Sequence, residues 1–216
     1  GSLSYDVAGA VNVPLVRDML AVRLSAFEAH DGGYLDNVQT GEKDINRSDI
    51  YGPKADLLFT PTEALSIRVT GLIQNIKRAG QASADYTIAI AGTTATGVPA
   101  FGDLNQSRYY SEALNQRFRL VSGTLNYDLG FGALTSITSY QTLSSVNGTD
   151  ATRIYVPFLN AAPFSRGYSK VGLQQVIDTK RFTQEVRLAV KQGSSMARTF
   201  WVSGGSLSVG SRGSSI

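Results

Sequence analysis

From Leu65 the chain alternates without a break. Leu65, Ile67, Val69, Gly71 and Ile73 fall on one side, and Ser66, Arg68, Thr70, Leu72 and Gln74 on the other. A period of two predicts a strand. Just upstream, Ala55, Leu57 and Phe59 share a face opposite Lys54, Asp56 and Leu58, and Thr60, Pro61, Thr62 and Glu63 separate the two runs. A connection that short and proline-stiffened predicts antiparallel neighbours. Lys54, Asp56, Arg68 and Gln74 all sit on the polar faces, and a packed core could not bury them without costly pairing. The apolar faces are therefore the covered ones, by protein or by lipid.

The same alternation, weaker, recurs along the chain. It predicts strands over residues 3–12, 19–29, 116–127, 133–143 and 181–190, with another beginning at 199, so that the hairpin of residues 55–74 supplies the third and fourth of about eight. Pro14 should close the first strand. Short turns follow strands one, three, five and seven. Long connections follow strands two, four and six, over residues 30–48, 75–115 and 144–180. Residues 86–102 are uncharged but broken by Gly92, Thr93, Thr94, Gly97 and Pro99, which suits a loop.

Short turns alternating with long loops mark an outer-membrane barrel, with minimal periplasmic turns and long extracellular loops. Strands of roughly ten residues also cross a bilayer at the usual tilt. The fold class expected is all-β: an antiparallel up-and-down meander forming part of a transmembrane β-barrel. Its outward face is led by Val22, Leu24, Ile67, Val69, Leu125 and Val186, and its inward face by Arg23, Arg68, Thr70, Asn126 and Arg187. A soluble β-sandwich, with Ile67 and Val69 in a sealed core, is the alternative.

Composition changes this picture little. Charged residues are 17%, below the usual quarter, and 22 glycines and 10 tyrosines suit a strand-rich chain with many turns. The net charge of +3 comes from 20 basic and 17 acidic residues scattered along the chain, which gives no nucleic-acid footprint. Cysteine is absent, so disulfides and thiolate metal sites are excluded. No apolar run is long enough for a spanning helix, and no secretion signal opens the sequence. From Ser203 the Gly- and Ser-rich sequence predicts a frayed or disordered tail over residues 203–216, after a barrel portion at 1–202.

Several blocks carry a family resemblance. GAVNVPLVRDMLAVRLSAF, DGGYLDN, SDIYGPKADLLFTPTEALSIRVTGL, SGTLNYDLGFGALTSITSY and RFTQEVRLA occur in that order over most of residues 9–190. They resemble the N-terminal part of the barrel of TonB-dependent outer-membrane receptors, above all the large group of sphingomonad-like Gram-negative bacteria. FTPTEALSIR and TQEVRLA are the more specific blocks. The resemblance implies a receptor with an N-terminal plug inside a barrel of about twenty-two strands, importing iron chelates (siderophores), cobalamin or glycans with energy from the TonB complex. It also implies that this chain is a fragment whose plug, TonB-contacting segment and C-terminal barrel lie elsewhere. The tail WVSGGSLSVGSRG, in place of an aromatic-rich strand, and the terminal Ile216 suggest a stretch read out of frame. Partners would be outer-membrane lipid, a small-molecule or chelate substrate, and TonB through the plug alone. The sheet is expected to stay open, with edges at residues 3–12 and near 200–202.

Catalytic chemistry is sparse. His30, beside Asp31, could suggest a barrel hydrolase, but no nucleophile motif or second histidine supports it, so an exposed loop histidine and a non-enzyme are expected. No glycine motif implies a nucleotide, and no cofactor is expected. Asp31, Asp36, Glu42, Asp44 and Asp49 are spread over one loop without calcium-loop spacing, hence a solvated loop. Asn46, Asn105 and Asn147 open N-x-[ST] triplets expected by chance. Candidate substrate-binding residues are the lumen arginines Arg23, Arg68 and Arg187 and the loop tyrosines Tyr109 and Tyr110. Arginines favour anionic ligands and aromatic rings stack on sugars or chelates. Alternatively the charges pair across strands and the aromatics mark the membrane interface. A self-contained structural or adhesion barrel is a further alternative.

Overall fold

The computed structural model describes residues 1–86 and 97–190 and the backbone of residues 199–215. In chain order the elements are β1 (Tyr5–Val16), β2 (Leu20–Asp31), β3 (Asp36–Asn37), β4 (Ser48–Thr62), β5 (Leu65–Arg78), β6 (Asn105–Gln106), β7 (Leu114–Asp128), β8 (Gly132–Asp150), α1 (Thr152–Asn160), β9 (Gly172–Val190) and β10 (Thr199–Ser215). All strands but β3 and β6 form one eight-stranded sheet in the order β1-β2-β4-β5-β7-β8-β9-β10. Every pair is antiparallel, so the sheet is an up-and-down meander. β1 and β10 end the order, at the edges anticipated from the sequence.

The connections at one end are tight: residues 17–19, 63–64 and 129–131. In the last of these Gly130 has φ 82°, a conformation that favours glycine, and its N–H donates to Asp128 Oδ1 at 2.8 Å. The other connections, 32–47, 79–113 and 151–171, lie at the opposite end. The turn expected after the seventh strand falls at residues 191–198, outside the described residues, as do much of the uncharged 86–102 stretch and Ile216.

Several boundaries differ from expectation. Pro14 does not close β1, which runs on to Val16 across an irregularity between Pro14 and Val16. An edge strand tolerates proline because the missing donor faces no neighbour. β8 and β9 each extend well into the stretch 144–180 expected to be a loop, and that connection shrinks to 151–171 with α1 inside it. Beyond Ser203, expected to fray, β10 continues to Ser215, with Ser203 opposite Glu185 and Ser215 opposite Leu173. Ladder pairing needs only main-chain donors and acceptors, which β9 offers along its whole edge whatever the side chains are.

The sheet has no second layer among the described residues. Val69 is 40% exposed, and Val11, Leu24, Val121 and Phe182 on the same face are exposed too. The accessible surface is 14496 Å² for 23.1 kDa, against about 9,700 Å² for a compact globule of that mass. Ile67 and Val69 therefore do not enter a sealed core, and the sandwich alternative does not describe this sheet. Among the described residues the buried hydrophobic ones are Leu35, Ile45 and Ala151, all in the loops.

Candidate functional site

The register assigns the two faces. Arg23 stands opposite Asp56, and Asp56 opposite Thr70. Arg68 lies one inward row away, between Leu58 and Thr124, and Arg187 stands opposite Thr135, itself opposite Asn126. All the expected inward residues thus share one face. The other face carries Val22, Leu24, Leu57, Ile67, Val69, Leu125 and Val186.

The inward charges bond to neighbours on the sheet. Arg23 Nη1 donates to Asn12 Oδ1 at 3.0 Å across β1 and β2. Asp56 accepts from Thr70 Oγ1 at 2.6 Å and pairs with Lys54 Nζ at 3.0 Å. Arg187 Nε donates to Glu185 Oε1 along its own strand, and Thr135 Oγ1 donates to Asn126 Oδ1 at 2.9 Å. Cross-strand pairing of this kind holds a polar face together at modest energy per pair. Arg23 and Arg68 flank Asp56 on adjoining rows, whereas Arg187 lies three strands from Arg68's.

Tyr109 and Tyr110 do not join the arginines. They sit in the loop before β7, while Arg68 is ten residues, about 33 Å of strand, below the loop end of β5 at Arg78. Both tyrosine amides donate to Asp150 Oδ2. Lys170 Nζ lies 5.1 Å from the Tyr109 ring centroid, and the Tyr110 ring packs against Gly172, where an added Cβ would come within 3.1 Å of it.

The long loops interlock into a small folded cap. β3 and β6 pair in parallel, and Asn37 bonds Arg108 twice: its Nδ2 donates to the Arg108 carbonyl at 2.9 Å and its Oδ1 accepts the Arg108 N–H at 3.0 Å. The Arg108 guanidinium reaches Asp85 at 2.8 Å and Glu112 at 3.1 Å. Arg153 Nη1, from α1, lies 2.8 Å from the same Asp85, and Glu112 Oε1 accepts the Asp150 N–H at 3.0 Å. Four connected segments thus converge on one polar node.

Its protonation follows from this geometry. Burial works against the Arg108 charge, but the hydrogen bond to Asp85 and the charges of Asp85 and Glu112 outweigh it, so its pKa is raised. Burial likewise works against the Asp150 carboxylate, yet hydrogen bonds from Thr152, Tyr110 and Tyr109 hold it below the usual carboxylate range. A cleft of about 150 Å³ opens beside the node, lined by Asn37, Arg47, Gln106, Arg108 and Glu112 among others.

The sequence singled out none of Asp85, Arg108, Glu112 or Asp150. The one signal available was the Arg108/Glu112 spacing of four, which means nothing outside a helix. The acidic loop is also not simply solvated. Asp36 Oδ1 accepts the Asp44 N–H at 3.1 Å, and Asn46 Oδ1 accepts from Tyr34 N at 2.9 Å and Leu35 N at 2.8 Å, closing the loop over Leu35 and Ile45. His30 is not in a loop and its partner is not Asp31. It ends β2 with Nδ1 2.6 Å from Asp49 Oδ1 and its ring stacked on Tyr5 at 5.3 Å. Residues 30 and 31 point to opposite faces of the strand, which is why neighbours in sequence are not partners. Among the described residues no hydroxyl bonds the ring, and no three His, Cys, Asp or Glu side chains converge as metal ligands. No helix is long and apolar enough to cross a membrane, which says nothing of strands.

No protein-family model matches the chain, and no curated protein matches it significantly.

Proposed function

We propose that this sheet is a stretch of the wall of a β-barrel in the outer membrane of a Gram-negative bacterium, within a TonB-dependent transporter of a scarce nutrient such as an iron chelate, cobalamin or a glycan. One observation carries the membrane part. A one-layer sheet leaves its apolar face uncovered, while on its other face Arg23 bonds Asn12 and Asp56 bonds Thr70 and Lys54. An apolar face of that extent requires a cover. Residues 65–73, the apolar-faced run of β5, match the nine to eleven residues with which a tilted strand crosses a bilayer.

In this reading outer-membrane lipid covers Val22, Leu24, Val69 and Val186. Arg23, Arg68 and Arg187 line the lumen, and Tyr109 and Tyr110 stand at its mouth. The edges β1 and β10 pair with further strands, since each unpaired backbone group in lipid costs several kcal/mol. Contact with TonB falls to a plug domain. The transport part rests on the resemblance of the blocks from residue 9 to 190 and on loops gathered at one end.

That Arg23, Asp56 and Arg187 each bond a neighbour on the sheet favours a second reading, a structural or adhesion barrel with no cargo. The coding sequence on either side discriminates between the two. A plug-coding stretch upstream and more strand pairs downstream are expected for the transporter. A signal peptide immediately upstream and a stop codon shortly downstream would establish the self-contained barrel instead.

A further inference from the structure

On the outward face of β7 the apolar run ends abruptly. Val121 is followed, toward the loops, by Arg119 and Arg117 on the same side. The register sets Lys180 of β9 on Arg119's row, with Thr142 of β8 between them. At about 4.8 Å per strand and about 6.8 Å between alternate residues, these three cations span about 12 Å. Asp178 is the carboxylate that adjoins them, two residues from Lys180 and opposite Ser144. Among the described residues none of the three forms an ion pair.

Arg119 is held in place without being neutralised. Its Nη1 donates to the Phe118 carbonyl at 2.8 Å and its Nη2 to Asn75 Oδ1 at 3.1 Å, and Asn75 is itself buried. Its Nη1 also donates to the Gln74 carbonyl at 3.4 Å, so of the five donor hydrogens of a guanidinium the Nε–H and one on Nη2 are left for another acceptor.

Arg119 also closes one end of an apolar depression of about 880 Å³ on this face. The depression runs across the strands from β1 to β7. Val11, Leu24 and Val121 form one ridge, and Pro53, Ile73 and Arg119 the other. Its floor is the backbone of the intervening inward row, and at Gly71 an added Cβ would meet nothing within 4 Å. Four strand spacings make it about 19 Å long. Its wall is therefore apolar along the length, with a fixed, uncompensated cation at its β7 end.

We infer that this surface binds a phosphorylated lipid, its acyl chain in the depression and its phosphate on Arg119, flanked by Arg117 and Lys180. Guanidinium and phosphate form short, charge-assisted hydrogen bonds, and basic residues just beyond a hydrocarbon-facing band recognise anionic headgroups. The inference rests on the membrane-wall reading above.

The test uses the full chain refolded into nanodiscs of phosphatidylcholine with one part in ten phosphatidic acid, and spin-labelled versions of both lipids. Wild type should retain labelled phosphatidic acid about fivefold over phosphatidylcholine. R117Q with R119Q should bring the ratio to about one, and R17Q, in an exposed turn, should leave it unchanged. Gly71→Leu should reduce retention of phosphatidic acid by filling the depression, and inorganic phosphate should not compete. Equal retention of the two lipids by wild type, or displacement by inorganic phosphate, overturns the lipid site and leaves the membrane reading intact. A spin label at Val69 that reports water in the same discs overturns both.

Discussion

The sheet and the loop cap are held together in opposite ways. Along the strands both faces are open, and cohesion comes from backbone ladders and polar pairs such as Thr70 with Asp56. In the cap, Leu35 is 1% exposed and Glu112 5%, and the loops carry a core of their own. A chain in a single solvent would not leave its largest element uncovered while sealing its loops. In the proposed reading the two have different surroundings: water around the cap, and hydrocarbon against one face of the sheet.

Removing the centre of the cap should have the largest effect. Arg108→Met leaves Asp85 and Glu112 as buried charges without their main partner, at a cost of about 3–5 kcal/mol to the cap. Hydrogen exchange should show the amides of 35–46 and 105–112 losing protection while the central strands β4, β5 and β7 keep theirs. Loss of protection throughout would mean that cap and sheet are one cooperative unit.

Neighbouring positions on β5 sharpen the contrast between the faces. In lipid, Val69→Arg should cost about 2–4 kcal/mol and Thr70→Arg little, because the first arginine meets hydrocarbon and the second the polar face. Denaturant titration from bilayers measures the difference, and equal costs would remove the distinction between the faces.

Acid should act on the cap more weakly. Asp150 has a lower pKa folded than unfolded, so its contribution is complete above the unfolded value of about 3.9 and is lost as pH falls through the folded one. In that window the unfolded state binds more protons, so stability falls with pH. Limited proteolysis of the loops between pH 5 and pH 2 should show this fall, and Asp150→Asn should flatten it.

This contrast also explains what was legible in the sequence. In the proposed reading the alternation along Leu65 to Ile73 reports a strand between two different media, and there the expected faces of Ile67, Val69, Arg68 and Thr70 match the register. Past the apolar band both sides meet polar surroundings, so β8 beyond Leu143 and β9 before Arg181 lose the period while their ladders continue. Those segments read as loop. The strand expected to begin at 199 was cut short at Ser203 for the same reason, since the main chain of the Gly- and Ser-rich part of β10 pairs without help from side chains. The node was illegible because Asp85 and Arg108 lie 23 residues apart in one connection while Asp150 ends β8 and Arg153 sits in α1, and no spacing links them. Of the five candidate residues, the three arginines are placed on the expected face by parity. The tyrosines Tyr109 and Tyr110 are fixed by Asp150, which only the fold brings near.

The account turns on hydrocarbon against one face of the sheet and water against the other. The chain has no cysteine, so single cysteines at Val69 and Thr70 can each carry a spin label in the bilayer-reconstituted protein, to be challenged with oxygen and with a water-soluble nickel chelate. The account predicts that the label at Val69 relaxes with oxygen and is shielded from nickel, and that the label at Thr70 does the reverse. Nickel reaching both labels equally would contradict it.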